Sequence, residues 1–299
     1  MAVPPGSGPP GGLATMGMAR IRKWWAKWQG RPAAVSQDKE PAGAKTTYAP
    51  EFVEFVAQRR HLNRESAAAL IARAENVFAG GWGGGEYRRF SEQAYETCRP
   101  LYDDGADSNL PETYKVQAAF DFLRMLSYPV PAEKDLEPIL CHLSKLKQAV
   151  IVDYGCGLAH RTMALSRYLQ ARGICVTLHL VDIRRDIHFE FLEYLCAQHG
   201  IPHEYIEITA AQLYPPLPAC DYCDIVDVFE HLREPLIAAG NIHRALRPGG
   251  WILADVADHQ PEMMHLSPNL QPVRDYFARL GYAARGKVLW TNLMQKPSP

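Results

Sequence analysis

Little in this sequence points toward a polymer, a bilayer or a disulfide framework. The formal net charge is -1, which gives no global pull toward nucleic acid, so no nucleic-acid partner is expected. No apolar run approaches the ~20 residues that span a bilayer. The long apolar core of a secretory signal is missing from the N-terminus. The seven cysteines are scattered and odd in number, which suggests a reducing, cytoplasmic compartment. One Cys-x-x-Cys pair, Cys220 and Cys223, lacks the second pair of a zinc site, and no metal is expected. A Gly-x-x-x-x-Gly-Lys-Ser/Thr phosphate loop is also absent. What remains is an ordinary globular composition, 47% hydrophobic and 22% charged over 299 residues, enough for one large domain with additions or two small ones.

The texture changes along the chain. Residues 1–47 form a tail rich in Pro and Gly at its start, too poor in apolar residues to build a core. Residues 1–37 carry no acid and five bases: Arg20, Arg22, Lys23, Lys27 and Arg31. Within residues 18–31, Ile21, Trp24, Trp25 and Trp28 share one helical face, with bases filling much of the rest. That pattern suits peripheral contact with an anionic membrane, or docking on the protein itself or a partner. Residues 48–146 have helical spacing and read as a helical cap, interrupted by the loop "GGWGGG". Trp82, Tyr87, Tyr95, Tyr102 and Arg99 flank that loop and could line a pocket, although packing between helices explains most of them.

From residue 147 to 299, strands and helices alternate. Strands are expected near 149–154, 175–182, 204–208, 222–229 and 250–257, with helices near 160–172, 186–199 and 234–246. The alternation predicts an α/β fold with a doubly wound, Rossmann-like, mostly parallel sheet and an N-terminal helical cap. The first strand runs into "VDYGCGLA". Gly155 and Gly157 allow a tight bend and a close ligand approach. Asp182 ends the second strand, where a carboxylate can accept hydrogen bonds from both hydroxyls of a ribose.

Together "VDYGCGLA", "LVDI", "DIVDVFEHL" and "LRPGGWILADV" resemble the class I S-adenosylmethionine-dependent methyltransferases. The resemblance is good over about residues 146–257 and loose beyond. It implies S-adenosylmethionine as cofactor. Asp153 would lie under the turn and meet the methionine amino group. Gly155, Cys156 and Gly157 would face the methionine and ribose, Asp182 would bind the ribose hydroxyls, and Ile183 would lie beside the adenine. Phe229, in "DVFEHL", is a further cofactor-side candidate. The acid that often follows the third strand is missing, leaving Thr209 as the adenine-side candidate. Ala159 replaces a common third glycine. Seven strands are usual in this class, so residues 281–296 must supply the last two, with a turn near Gly286.

His231 and His259 are the catalytic candidates, each as a base for an acceptor. His231 has a structural or cofactor-side alternative, and His259 lies in a loop with Asp258, Glu262 and His265 that can close over substrate. The implied activity is methyl transfer to an oxygen or nitrogen of a small-molecule, glycan or lipid acceptor. An Asn-Pro-Pro-Tyr motif for exocyclic amines is absent. A nicotinamide-dependent oxidoreductase and a non-catalytic methyltransferase-like partner protein are the alternatives.

Overall fold

The computed structural model describes residues 48–77, 122, 125–126, 128–260, 265–288 and 291–298. The basic tryptophan face at 18–31, Trp82, Tyr87, Tyr95, Arg99, Tyr102 and Glu262 lie outside the described residues.

One seven-stranded sheet organises the chain, in the order β3-β2-β1-β4-β5-β7-β6. The strands are β1 (Gln148–Tyr154), β2 (Cys175–Ile183), β3 (His203–Ile208), β4 (Cys220–Ile225), β5 (Leu246–Ala254), β6 (Ala283–Val288) and β7 (Thr291–Gln295). β1 to β5 pair in parallel, and β7 runs antiparallel to both β5 and β6. The central strands are largely buried on both faces because helices cover both. Every residue of β4 is buried. The strand order reverses between β1 and β4, and ligands of doubly wound sheets bind beyond the carboxyl ends of the strands at such a switch.

Seven helices frame the sheet among the described residues: α1 (Ala49–Arg60), α2 (Arg64–Val77), α3 (Glu137–Leu143), α4 (His160–Ala171), α5 (Asp186–His199), α6 (Pro235–Ala245) and α7 (Gln271–Arg279). α5 stops where Gly200 adopts the left-handed conformation, φ 59°, a stop glycine makes at little steric cost. The helical region before β1 packs directly on this unit. Phe52, Phe55 and Phe122 surround Phe191 of α5 at ring distances of 5.4, 5.5 and 5.7 Å. Each buried phenylalanine contributes on the order of 2–3 kcal/mol of hydrophobic stabilisation.

Three local expectations are corrected. The fourth strand ends at Ile225, not near Phe229, because Asp227 takes φ 57° and breaks the pleat. Aspartate tolerates that conformation better than most residues. The Pro-Gly-Gly segment does not precede β5 but lies within it, as an irregularity between the pairs Cys220–Leu246 and Tyr222–Trp251. Gly286, φ 108°, is a bulge within β6 rather than the hairpin turn, and pairing continues to Val288.

Candidate active site

The bend after β1 is held by its own backbone. The amides of Gly155 and Cys156 both donate to the carbonyl of Val181, at 2.7 and 3.3 Å, and the Ala159 amide donates to the carbonyl of Cys156 at 2.6 Å. The Gly157 amide donates to Asp182 Oδ2 at 2.8 Å. Four amides that could cradle a phosphate are therefore already engaged. A pyrophosphate needs such donors at the helix N-terminus, so the turn is a poor dinucleotide cradle. A cationic sulfonium nucleoside places no such demand, and nearby carboxylates suit its charge.

Glycine is required at 155 by close approach. Its φ is +73°, and a Cβ there would come within 2.3 Å of Val228 Cγ2. Gly157, φ +52°, is crowded by Met125, whose sulfur would lie 3.1 Å from a Cβ. Ala159 also adopts a left-handed conformation, φ 51°, at the start of α4. Alanine in the place of a glycine there carries roughly 1–2 kcal/mol of strain.

Asp182 faces the turn through the Gly157 amide. Its carboxylate is nine-tenths buried. Oδ2 also accepts from Arg185 at 2.8 Å, and Oδ1 accepts from the Ile183 amide at 2.7 Å. A carboxylate offers about four lone-pair directions, so one ribose hydroxyl can bind directly and a second only by displacing Arg185. Cys156 is buried, its thiol 3.9 Å from the same carboxylate, and burial pushes that thiol well above its usual range. A nucleophilic thiolate is thereby disfavoured. Because Cys156, Gly157 and Asp182 are all buried, a nucleoside reaches them only by displacing covering side chains such as Met125.

Asp153 lies under the bend and accepts from Thr162 Oγ1 at 2.5 Å, tying β1 to the first turn of α4. Burial and then the charge of Asp224 push its carboxyl up to about 8. Thr209 forms a small bridge with Gln212 after β3, and Ile183 is buried with its carbonyl accepting from Tyr205 at 3.2 Å. Phe229 has no exposed surface and meets Phe277 of α7 at 6.4 Å. Its ring therefore lies in the core, packed against α7.

Sequence reasoning missed a buried ion pair beside the bend. Arg161 of α4 grips both oxygens of Asp224, at 2.8 and 3.0 Å, and Tyr222 donates to Asp224 Oδ2 at 3.0 Å. The available signal was an aspartate in an otherwise buried strand, which demands a partner. Cys220 and Cys223 are both buried in β4 with thiols pushed upward by burial.

A second group of polar side chains gathers beyond β4 and β5. The left-handed Asp227 turns the chain into a short 3-10 turn, Phe229–His231, which buries Phe229 and brings Glu230 inward. The loop after β5 folds back over that turn. The His259 amide donates to the carbonyl of Pro268 at 2.8 Å, and the Ser267 amide to that of Glu230 at 2.9 Å. Arg274 of α7 clamps the loop through Asp258 at 2.9 and 3.1 Å. His259 Nε2 then lies 3.7 Å from Glu230 Oε1 and 3.6 Å from Asp255 Oδ2. His231 Nε2 is 3.8 Å from Glu230 Oε1. His265 packs against both histidines, with rings 5.0 Å from His231 and 5.3 Å from His259. Desolvation pushes the Glu230 carboxyl upward. The open groove bounded by Tyr214, Leu217 and Arg244 lies before the start of β4 and takes no part in this arrangement.

A search of curated proteins gives no match. Among solved structures, the chain is similar to an O-methyltransferase family protein from Burkholderia thailandensis, with 13% identity, 84% of this chain and 90% of that one covered, and a TM-score of 0.39. It is also similar to an O-methyltransferase family 2 protein from Planctomyces limnophilus in complex with apigenin, with 14% identity, 65% and 66% covered, and a TM-score of 0.39. The methyltransferase-domain family profile matches residues 131–289, more than half of the chain and all but the last of its strands. That match sets aside the nicotinamide-dependent alternative. With a match over more than half of its length, the chain belongs to the methyltransferase-domain family.

Proposed function

We propose that the chain methylates a hydroxyl oxygen of a small-molecule acceptor. One observation carries the reading: two chemically different sites stand at the same carboxyl edge of the sheet. The glycine turn meets Asp182 at 2.8 Å, and the polar group around Glu230, His231 and His259 follows β4 and β5. S-adenosylmethionine supplies an electrophilic methyl on a sulfonium sulfur. Asp182 binds the ribose, while Asp153 and Thr162 hold the turn in place. Ile183 and Thr209 lie on the adenine side. Met125, beside Gly157, helps to cover the turn and exclude water.

A hydroxyl is favoured over an amine on chemical grounds. A neutral amine attacks with its free lone pair and loses its proton afterwards. A hydroxyl is a weak nucleophile until its proton is drawn away. Imidazoles are the side chains suited to take a proton near neutral pH, and three lie in this group. The imidazole group would take the hydroxyl proton as the acceptor oxygen takes the methyl, the cofactor's sulfur keeping the electron pair of its broken bond to carbon. A lipid or glycan hydroxyl would use the same chemistry. Peripheral membrane contact through residues 18–31 would bias the choice toward a lipid.

Calorimetric titration of the full chain with S-adenosylmethionine and with its demethylated product tests the reading. Saturable binding of both is expected, weakened at least about tenfold in Asp182→Ala, a loss of ~1.4 kcal/mol or more. Absence of heat for both ligands with the unaltered chain overturns it.

A further inference from the structure

The polar group beyond β5 has a geometry that hydrogen bonding among its members does not explain. The clamping ion pairs of this structure close to contact, Arg161 with Asp224 at 2.8 Å and Arg274 with Asp258 at 2.9 Å, whereas the exposed pair Arg184–Asp186 stays at 3.8 Å. Around the buried Nε2 of His259 the polar atoms do not close to contact. That nitrogen stays 3.7 Å from Glu230 and 3.6 Å from Asp255, beyond hydrogen-bond range. His259 Nε2 and Glu230 Oε2 are buried and make no hydrogen bond. Glu230 is only 1% exposed. A buried carboxylate oxygen without a partner is costly, and the loop is pinned so firmly by Pro268, Ser267 and Arg274 that the spacing is built in.

We propose that Glu230, His259 and His265 form a site for a divalent transition-metal ion. One ligand atom from each can be chosen so that all lie within 4.8 Å of one another. Two ligands about 2.1 Å from one ion at a tetrahedral angle lie roughly 3.4 Å apart, close to the separations around His259. His265 is oriented as a metal-binding histidine usually is. Its Nδ1 is 2.7 Å from the carbonyl of Gln260, so Nδ1 carries the proton and Nε2 keeps its lone pair for a ligand. Asp255 Oδ2 stands by as a further oxygen. Two imidazoles with a carboxylate suit zinc, cobalt or manganese rather than calcium or magnesium, which prefer all-oxygen shells. An ion here would act as a Lewis acid on an oxygen acceptor. That role rests on the proposed methyl transfer, whereas the binding does not.

The test uses untagged full chain, stripped with chelator and dialysed. Cobalt(II) is titrated while its visible absorption is followed, and zinc(II) is then added as competitor. Demethylated cofactor is titrated calorimetrically into the same samples. One saturable cobalt site, displaced by zinc and weakened at least about tenfold in His259→Ala and in His265→Ala, supports the site. If those variants fail to fold, Glu230→Gln, nearly isosteric, is expected to show the same loss. No saturable binding by the unaltered chain, or unchanged affinity in the folded variants, overturns it. Cobalt binding without cofactor binding would sink the proposed function and leave the metal site standing. Cofactor binding without cobalt binding would do the reverse.

Discussion

The glycine turn and the histidine–carboxylate group stand at the same edge of one sheet, yet they are built on opposite terms. Around the turn most polar groups are paired, with Tyr154 Oη and His160 Nε2 the buried exceptions. Its amides reach Val181, Asp182 and Cys156, and the neighbouring carboxylates are held by Thr162, Arg161 and Arg185. Around His259, buried polar atoms stay near one another without bonding. A paired site is rigid before its ligand arrives, and its residues can be read as structural as well as functional. An unpaired buried site lowers stability until something occupies it, so its upkeep points to a ligand more strongly than its composition does.

Three substitutions sharpen or break this contrast. The largest effect is expected for Gly155→Ala. The left-handed backbone and the 2.3 Å approach of Val228 together should destabilise the chain by about 2–5 kcal/mol. Gly200→Ala is the control: its φ is +59° but nothing lies within 4 Å of a Cβ, so a loss of only about 1 kcal/mol is expected. Urea denaturation of the two variants measures the difference, and equal losses would remove crowding as the reason for glycine at 155.

Asp153→Asn probes the same region through pH. The carboxyl of Asp153 is pushed up to about 8 by burial, with the charge of Asp224 adding to it. The folded chain therefore holds this proton more tightly than the unfolded chain, and the associated stability, fully present below about pH 4, is lost as pH rises toward 8. Asparagine has no proton to lose. The melting temperature of Asp153→Asn relative to the unaltered chain should thus rise between pH 5 and pH 9. A flat difference would show that Asp153 stays ionised throughout.

The smallest effect is expected at the unpaired site. In metal-free buffer at pH 8, Glu230→Gln should change stability by no more than about 1 kcal/mol, in the stabilising direction, because it removes a desolvated charge. A loss of several kcal/mol by urea denaturation would mean that Glu230 already has a strong partner, and the contrast between the two regions would fail.

Much of the fold was legible in one dimension. The alternation of apolar strands with amphipathic helices is local, and so are the stop at Gly200 and the bend at Gly155 and Gly157. Asp182 could be placed because strand ends in a doubly wound sheet converge on one edge. The end of β4 was misjudged because "DIVDVF" is a continuous β-prone run, and only the left-handed backbone of Asp227 ends it. Phe229 lies among residues that suggest a site, and α7, far along the chain, supplies the core that buries it.

The sequence by itself determined the class of the chain, since hydrophobic period and turn-forming residues act over a few positions. Tertiary structure alone decided which polar groups meet. Arg161 and Asp224 are 63 residues apart, and Glu230 meets His259 and His265 only because Arg274 holds the loop after β5 against the turn after β4. Such pairings depend on chain crossings and loop closure, which leave no periodic trace for a sequence to display.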